Sequence, residues 1–322
     1  MRAVVAERFG SASDLTVHEV PVPAAAAGEV RVRVRSVALN PADWHGVVGR
    51  PYIARVAIGW VRPKRNIPGT DVAGTVDAVG AGVTRFEPGD EVFGFTDGGG
   101  CAEYVVAPES DLVAKPAEVS FDAAAATGVA AFTALQVVRD TASVDAGQHV
   151  LINGATGGVG HFAVQISNAF GAEVTAVCSA ANVDTARALG ADHVIDYSSD
   201  DFTAGSGRYD AILDNPGNRP LRACRRVLQP AGTYVLIGGS KAPVLGPIPR
   251  LIAAKLLGLV SSQQFAVGVS RETPADLAVL RSMLVDGSID PLISRTFDLA
   301  GVPAALAQLG RGHTLGKLVT HP

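Results

Sequence analysis

The sequence predicts an α/β protein in which a strand-rich β domain precedes a doubly wound domain built on a parallel sheet. Residues 148–170, QHVLINGATGGVGHFAVQISNAF, run from an apolar strand (Val150, Leu151, Ile152) through a glycine turn into apolar residues at helical spacing, Phe162, Ala163, Ile166, Ala169 and Phe170. A strand at 173–177, a helix at 184–189 and a short strand at 193–195 follow at the spacing of a βαβαβ chain. Residues 1–125, by contrast, show short strands punctuated by Gly-Asp and Pro-Gly turns with no βα alternation.

Taken in order, strands are expected at 3–6, at 29–38 where Val and Arg alternate, and at 72–79, 91–95 and 104–107. An alanine-rich helical pattern over 122–139 marks the crossing into the second domain. There, strands are expected at 210–213 and 233–237 around a helix at 220–228, then an edge strand at 265–269 and a helix at 275–286. The tail from 291 is expected to rejoin the first domain. The predicted domains are therefore 1–124 with a return of 290–322, and 125–289 between them.

The 322 residues, 48% hydrophobic and 18% charged, suffice for two full cores. A net charge of −4, with no block of Lys and Arg seen to compensate locally, offers no general attraction to nucleic acid or anionic lipid. Neither nucleic acid nor membrane is therefore expected as a partner. Cys101, Cys178 and Cys224 form no C-x-x-C pair, no histidine stands at zinc-finger spacing, and MRAVVAERFG has no secretory pattern; a cytoplasmic location is expected. The apolar stretch 248–260 is interrupted by Arg250, Lys255 and Gly258 and is shorter than the roughly 20 residues that span a bilayer. It reads as a helix covering an apolar surface, and is the one segment favouring a membrane role.

The glycine turn suits a pyrophosphate. Gly154, Gly157, Gly158 and Gly160, with Thr156 and Val159 between them, let the backbone approach phosphate closely, and the helix N-terminus adds open N–H groups and partial positive charge. Ala155 stands where the first glycine of G-x-G-x-x-G belongs. The acid that commonly binds the ribose 2′-OH of NAD is missing: 177–182 read Val, Cys, Ser, Ala, Ala, Asn, and the first acid is Asp184. Ser179 and Asn182 can donate to a 2′-phosphate, so NADPH is expected ahead of NADH. Ser179 is read equally as a helix N-cap, and Arg187 as a phosphate contact or a surface charge.

LNPAD (39–43), PGTDVAGTVDAVG (68–80), PGDEVFG (88–94), AEYVVAP (102–108), NGATGGVG, LGADHVIDY (189–197) and GKLV (316–319) come in an order that resembles the medium-chain dehydrogenase/reductase superfamily. Within it, the chain is similar to the zinc-independent, zeta-crystallin-like quinone oxidoreductase branch. The resemblance implies a GroES-like β domain, a Rossmann domain and an active site in the cleft between them. Zinc-dependent relatives carry Cys where this chain has Asn40 and His where it has Thr70, and no four-cysteine lobe follows PGDEVFGF. A catalytic zinc needs about three Cys, His or carboxylate ligands; the motifs supply none, His45 stands alone, and no zinc is expected.

The same resemblance places Asn40 and Asp43 at the cleft beside the nicotinamide, Asn40 as the catalytic candidate that hydrogen-bonds either the cofactor ribose or the substrate oxygen and Asp43 as a partner for local backbone donors. Tyr52 lies at the spacing of a proposed proton donor in enoyl thioester reductases; otherwise it forms an aromatic wall with Trp44 and Trp60. Thr133 is expected near the cofactor. Asn218, Gly238 and Gly239 are expected on the carboxyl-end rim, where Asn215-Pro216 replaces small residues. Lys317 is read as a phosphate contact or, near a chain end, as solvated.

The expected activity is zinc-independent, NADPH-dependent hydride transfer to a quinone or an α,β-unsaturated carbonyl. Alternatives are an enoyl thioester reductase and a non-catalytic NADPH-binding protein. Pairing of the edge strand with its copy makes a homodimer the expected assembly.

Overall fold

The computed structural model describes residues 1–239, 244–246, 248–259 and 261–322. The chain divides into two compact units, one of residues 1–132, 272–287 and 291–322, the other of 133–271 and 288–290.

The first unit opens with β1 (Arg2–Val5), β2 (Thr16–Glu19), β3 (Glu29–Leu39), α1 (Pro41–Val48), α2 (Arg55–Ile58), β4 (Asp71–Val79), β5 (Glu91–Phe95), β6 (Tyr104–Pro108), β7 (Leu112–Ala114) and α3 (Phe121–Ala126); α4 (Val129–Gln136) crosses the boundary. The Val/Arg alternation in β3 buries Val30, Val32 and Val34 while Arg33 faces solvent, as a half-buried strand requires. The single helix expected over 122–139 is instead two helices and a π turn, and the break has a cause. A Cβ on Gly128 would lie 2.1 Å from the Asp71 carboxylate carbon, and the next N–H, of Val129, donates to Asp71 Oδ1 at 3.0 Å. The chain leaves helical geometry there to let a buried carboxylate in.

The second unit continues with β8 (His149–Asn153), α5 (Gly160–Ala169), β9 (Glu173–Cys178), α6 (Val183–Ala188), β10 (His193–Asp196), β11 (Tyr209–Asp214), α7 (Leu221–Arg226), β12 (Leu228–Leu236), α8 (Ile248–Leu259) and β13 (Gln264–Val267). Six parallel strands run in the order β10-β9-β8-β11-β12-β13, the doubly wound arrangement whose order reverses beside β8. Their apolar runs, among them Leu151, Ile212, Tyr234 and Leu236, are buried on the sheet. β13 is at the sheet edge but ends at Val267, two residues short of the expected strand. Of the apolar stretch 248–260, residue 260 lies outside the described residues.

The chain then adds α9 (Pro274–Val285), β14 (Ile293–Asp298), α10 (Val302–Arg311) and β15 (Lys317–His321) to the first unit. The division thus falls at 132 and 271 where 124 and 289 were expected. α10 buries Val302, Ala305, Leu306 and Leu309, spaced for one helical face, in the core that holds Val30, Val32 and Leu318. β15 lies antiparallel to β3 with Leu318 opposite Leu39, so Lys317 arrives beside Asn40.

Candidate functional site

In the second unit, β8 ends at Asn153 and Gly154 takes φ +77°, where a side chain would be strained. A Cβ on Gly160 would lie 2.1 Å from the Gly154 carbonyl oxygen, whereas one on Gly157 would meet only that oxygen, at 3.3 Å. Space therefore stands open over Gly157. Val159 caps α5 with no side-chain bond, and the first N–H groups of a helix have no intrahelical acceptor. Thr156 is tied to the second strand's end by Asn182 Nδ2 donating to its Oγ1 at 3.3 Å. This turn fits a dinucleotide pyrophosphate; Gly154, Thr156, Gly157, Gly158, Val159 and Gly160 would hold it.

The turn is braced by a buried polar network that sequence reasoning missed. Asn153 Nδ2 donates to Asp214 Oδ1 at 2.8 Å and to Asn218 Oδ1 at 3.0 Å. The fully buried Asp214 also accepts from the Gly217 N–H (2.9 Å), the Tyr234 hydroxyl (2.5 Å) and Arg250 Nη2 (3.3 Å). Burial first, then the Asp214 charge, push the Tyr234 phenol well above its ordinary value. Burial and the same charge push the Cys224 thiol up to about 12, so this cysteine is an inert core group. Arg250, which interrupts the apolar helix in the sequence, is there to reach Asp214.

Asn215 Nδ2 donates to the Asn153 carbonyl at 2.9 Å, and a Cβ on Gly238 would lie 2.2 Å from the Asn215 carbonyl oxygen. Asn218, Gly238 and the turn thus converge at the carboxyl ends of β8, β11 and β12. Gly239 follows with φ +156°, and Thr133 is buried in α4. Ser179 stands at an N-cap position but makes no side-chain cap bond. Arg187 pairs with Asp184 on the surface at 3.3 Å, which makes it a surface charge.

An acid does stand near Ser179, because the β10–β9 register sets Asp196 opposite Cys178. Its carboxyl is held below the usual range, chiefly by the Ser198 N–H and hydroxyl and also by the Ala180 N–H. Tyr197, exposed and bonded through its N–H to the Cys178 carbonyl at 3.0 Å, adds a phenol that sequence reasoning did not consider.

In the first unit, Asn40, Asp71 and Lys317 form a buried cluster. Lys317 Nζ donates to Asn40 Oδ1 at 2.6 Å and lies 3.4 Å from Asp71 Oδ2; Asn40 Nδ2 donates to the same carboxylate at 2.8 Å. Lys317 is therefore neither solvated nor a cofactor-phosphate contact here: its ammonium is spent inside the first unit, its side chain 2% exposed. Asn40 Nδ2 also points at Thr70 Oγ1, 3.5 Å away, so this amide holds Lys317 and Asp71 in place.

Asp43 does partner local backbone donors, accepting from Asn40 N–H at 2.7 Å and Gly69 N–H at 2.9 Å. Burial raises its carboxyl from 3.8 to about 6; those N–H groups oppose the rise, Asp71 adds to it and Lys317 opposes it. A raised folded value means stability that is full below about pH 4 and is lost as pH rises through about 6, on the order of 3 kcal/mol at 1.36 kcal/mol per unit. Urea midpoints of Asp43→Asn should lack this decline between pH 4 and 7. Equal slopes in both proteins would refute the assignment.

Tyr52 and Trp44 share a cavity of about 670 Å³ with Phe9, Arg50, Arg55 and Arg311. Trp60 is not part of that wall: it is 74% exposed and lines a separate concavity. His45 Nδ1 lies 2.6 Å from the Arg50 carbonyl oxygen. Where zinc relatives would place ligands, Asn40 and Thr70 offer an amide and a hydroxyl beside an ammonium, a donor set that does not fit zinc. Among the described residues, no group of three His, Cys, Asp or Glu could hold a metal ion.

Two units, a glycine turn on a doubly wound sheet and a β domain with a buried polar cluster define a nicotinamide-dependent oxidoreductase. Comparison with known proteins agrees. Residues 26–117 match the family described as alcohol dehydrogenase GroES-like domain, and residues 189–320 that described as zinc-binding dehydrogenase. The chain is 32% identical to the chloroplast envelope quinone oxidoreductase homolog of Arabidopsis thaliana, covering 97% of this chain and 95% of that protein. It is also 32% identical to a mitochondrial NAD(P)H oxidoreductase of Bos taurus, over 90% of this chain and 81% of the relative. The solved quinone oxidoreductase of Coxiella burnetii superposes with a TM-score of 0.87 at 28% identity, covering 100% of this chain and 99% of that one. The chain belongs to the medium-chain dehydrogenase/reductase superfamily, in its quinone oxidoreductase branch.

Proposed function

We propose that the protein reduces quinones or α,β-unsaturated carbonyl compounds with NADPH and without zinc. The observation that carries this reading is the Asn40–Asp71–Lys317 cluster, which puts an ammonium 2.6 Å from the amide oxygen at the position of a metal ligand. When bound, the nicotinamide supplies the hydride. Without a Lewis acid the acceptor must take hydride readily, which suits conjugated acceptors, because their charge moves onto an oxygen that hydrogen bonds can stabilise. The names of the relatives in Arabidopsis thaliana and Coxiella burnetii point to the same acceptor class.

The glycine turn binds the diphosphate through its N–H groups, and Asn153, Asp214 and Asn218 keep that turn in place. Ser179, Asn182 and Tyr197 supply donors for a 2′-phosphate, and the Asp196 carboxylate is turned onto Ser198 and Ala180. Asn40 acts as a positioning residue for Lys317. An enoyl thioester reductase is the second reading, favoured by the exposed Tyr52 phenol beside the Arg50 and Arg55 guanidiniums, which suit an anionic thioester carrier.

Steady-state assays decide between them. NADPH should exceed NADH, and a benzoquinone should exceed an enoyl thioester, each by roughly tenfold or more in kcat/KM. Activity lost to a chelator and restored by zinc would overturn the zinc-free reading, and a thioester preference would favour the second. We further place the protein in the cytoplasm, a reading supported by its three free buried cysteines, and as a homodimer joined through the β13 edge. A monomeric mass by light scattering would exclude the dimer.

A further inference from the structure

Residues 50–65, RPYIARVAIGWVRPKR, hold five cations, Arg50, Arg55, Arg62, Lys64 and Arg65, and no carboxylate, in a chain of net charge −4. The expectation that no local run of Lys and Arg offsets the acidic balance is thereby corrected. Apolar residues interleave the cations and conceal the run.

Four of the apolar residues between those cations have no core. Ile53 is 48% exposed, Val56 74%, Trp60 74% and Val61 77%. So many branched and aromatic side chains left in water within nine residues mark a contact surface. Among the described residues, four of the cations lack a carboxylate partner, although Arg55 Nε donates to the Gly49 carbonyl at 3.0 Å. Arg65 pairs with Asp97, but among the described residues Arg50, Arg55, Arg62 and Lys64 have no ion pair. Arg55 lies over the rings of Phe9 (4.6 Å) and Tyr52 (5.0 Å), and Arg50 over Tyr52 (5.8 Å), and both face the cavity of about 670 Å³ that Arg311 also lines and no carboxylate enters.

We propose that this face of the first unit docks on the surface of an anionic phospholipid bilayer, independently of which acceptor the enzyme reduces. Ile53, Val56, Trp60 and Val61 enter the boundary between headgroups and acyl chains, and Arg50, Arg55, Arg62 and Lys64 take the lipid phosphates. Glu7 and Glu19 line the same concavity as Trp60, Val61, Arg62 and Lys64, yet residues 50–65 carry five cations and no carboxylate, and this excess of positive charge selects the occupant. A two-fold contact with a second copy would set these cations against the same cations, which repel. A nucleic acid would satisfy the cations but leave four apolar side chains in water. At a bilayer interface an indole and a guanidinium both find their preferred surroundings, the ring in the boundary and the charge at the phosphates. The mode is peripheral, because among the described residues no helix is long and apolar enough to cross a membrane.

The test is flotation of the full chain with phosphatidylcholine vesicles, with and without phosphatidylglycerol, together with tryptophan emission. Expected are flotation with the anionic vesicles only, a blue shift on binding, and release by salt. Trp60→Ser/Val61→Ser should abolish the shift and most of the binding. Arg62→Gln/Lys64→Gln should weaken binding by roughly fivefold for each charge removed. Both double variants should keep the wild-type thermal midpoint, since the changed side chains are exposed. Absence of flotation with anionic vesicles overturns the proposal, as does flotation unchanged in both double variants. Binding weakened by the charge variant alone, with no emission shift in the wild type, overturns the insertion. A dimer that Trp60→Ser/Val61→Ser dissociates, in a protein that ignores vesicles, assigns the face to a second copy instead.

Discussion

Lys317→Met is expected to destabilise the protein by about 3–5 kcal/mol, the cost of leaving a buried charge without its partner. The side chains of Lys317 and Asp71 are 2% and 0% exposed, so water cannot replace the lost ammonium. Asp71 would retain Asn40 Nδ2 at 2.8 Å and the Val129 N–H at 3.0 Å, which are hydrogen bonds but no countercharge. Asn40 Oδ1 would lose its 2.6 Å donor at the same time. Because the loss comes from the abandoned carboxylate, Asp71→Asn added to Lys317→Met should recover most of it. Chemical denaturation of the wild type, both single variants and the double variant measures this cycle. A Lys317→Met protein within about 1 kcal/mol of the wild type would show that the pair is not a buried charge pair.

Gly160→Ala is expected to cut nicotinamide-cofactor affinity by roughly ten- to a hundredfold, about 1.4–2.7 kcal/mol, and to lower stability as well. The added Cβ would lie 2.1 Å from the Gly154 carbonyl oxygen and 2.9 Å from backbone atoms of Ala155. No rotamer relieves a clash with main chain, so the turn must open and its N–H groups lose their convergence. Gly157→Ala gives the contrast, because its Cβ would meet only one atom, at 3.3 Å. That variant should keep the wild-type thermal midpoint and yet lose affinity, since the methyl fills the space over the turn. Calorimetric titration with NADPH beside thermal melts measures both. Unchanged affinity in both variants would remove the glycine turn from the binding site.

The turn, the parallel strands around it and the return of the tail to the first domain were legible because each is written in local chemistry. Strand and helix periods differ, and glycine marks where backbone must come close. The polar clusters were not legible in that way. Asn40 and Lys317 are 277 residues apart, and Asn153 and Asp214 are 61 apart; no periodicity spans such a gap. A signal did exist for Arg250, which interrupts an apolar run, and a charge placed there needs a buried partner. Lys317 was misread because proximity to the chain end suggests solvent, whereas β15 is an inner strand of its sheet. The helix over 122–139 was drawn whole because its alanines favour it; a carboxylate from β4 interrupts it. The cations of 50–65 were overlooked because they are dispersed among apolar residues, and only their exposure shows both kinds of side chain to be unpartnered.

By itself the sequence determined two cores, a strand–glycine–helix turn built for a diphosphate, and the absence of metal-type residues at positions 40 and 70. Tertiary structure alone decided that an ammonium and a carboxylate meet at Asn40, that Asp214 braces the turn, and that Ile53, Val56, Trp60 and Val61 face water. The physical reason is the same in each case. Local propensity is set by neighbours a few residues away, whereas the partner of a buried charge, or the lack of a cover for an apolar side chain, follows from strand register and packing between distant segments.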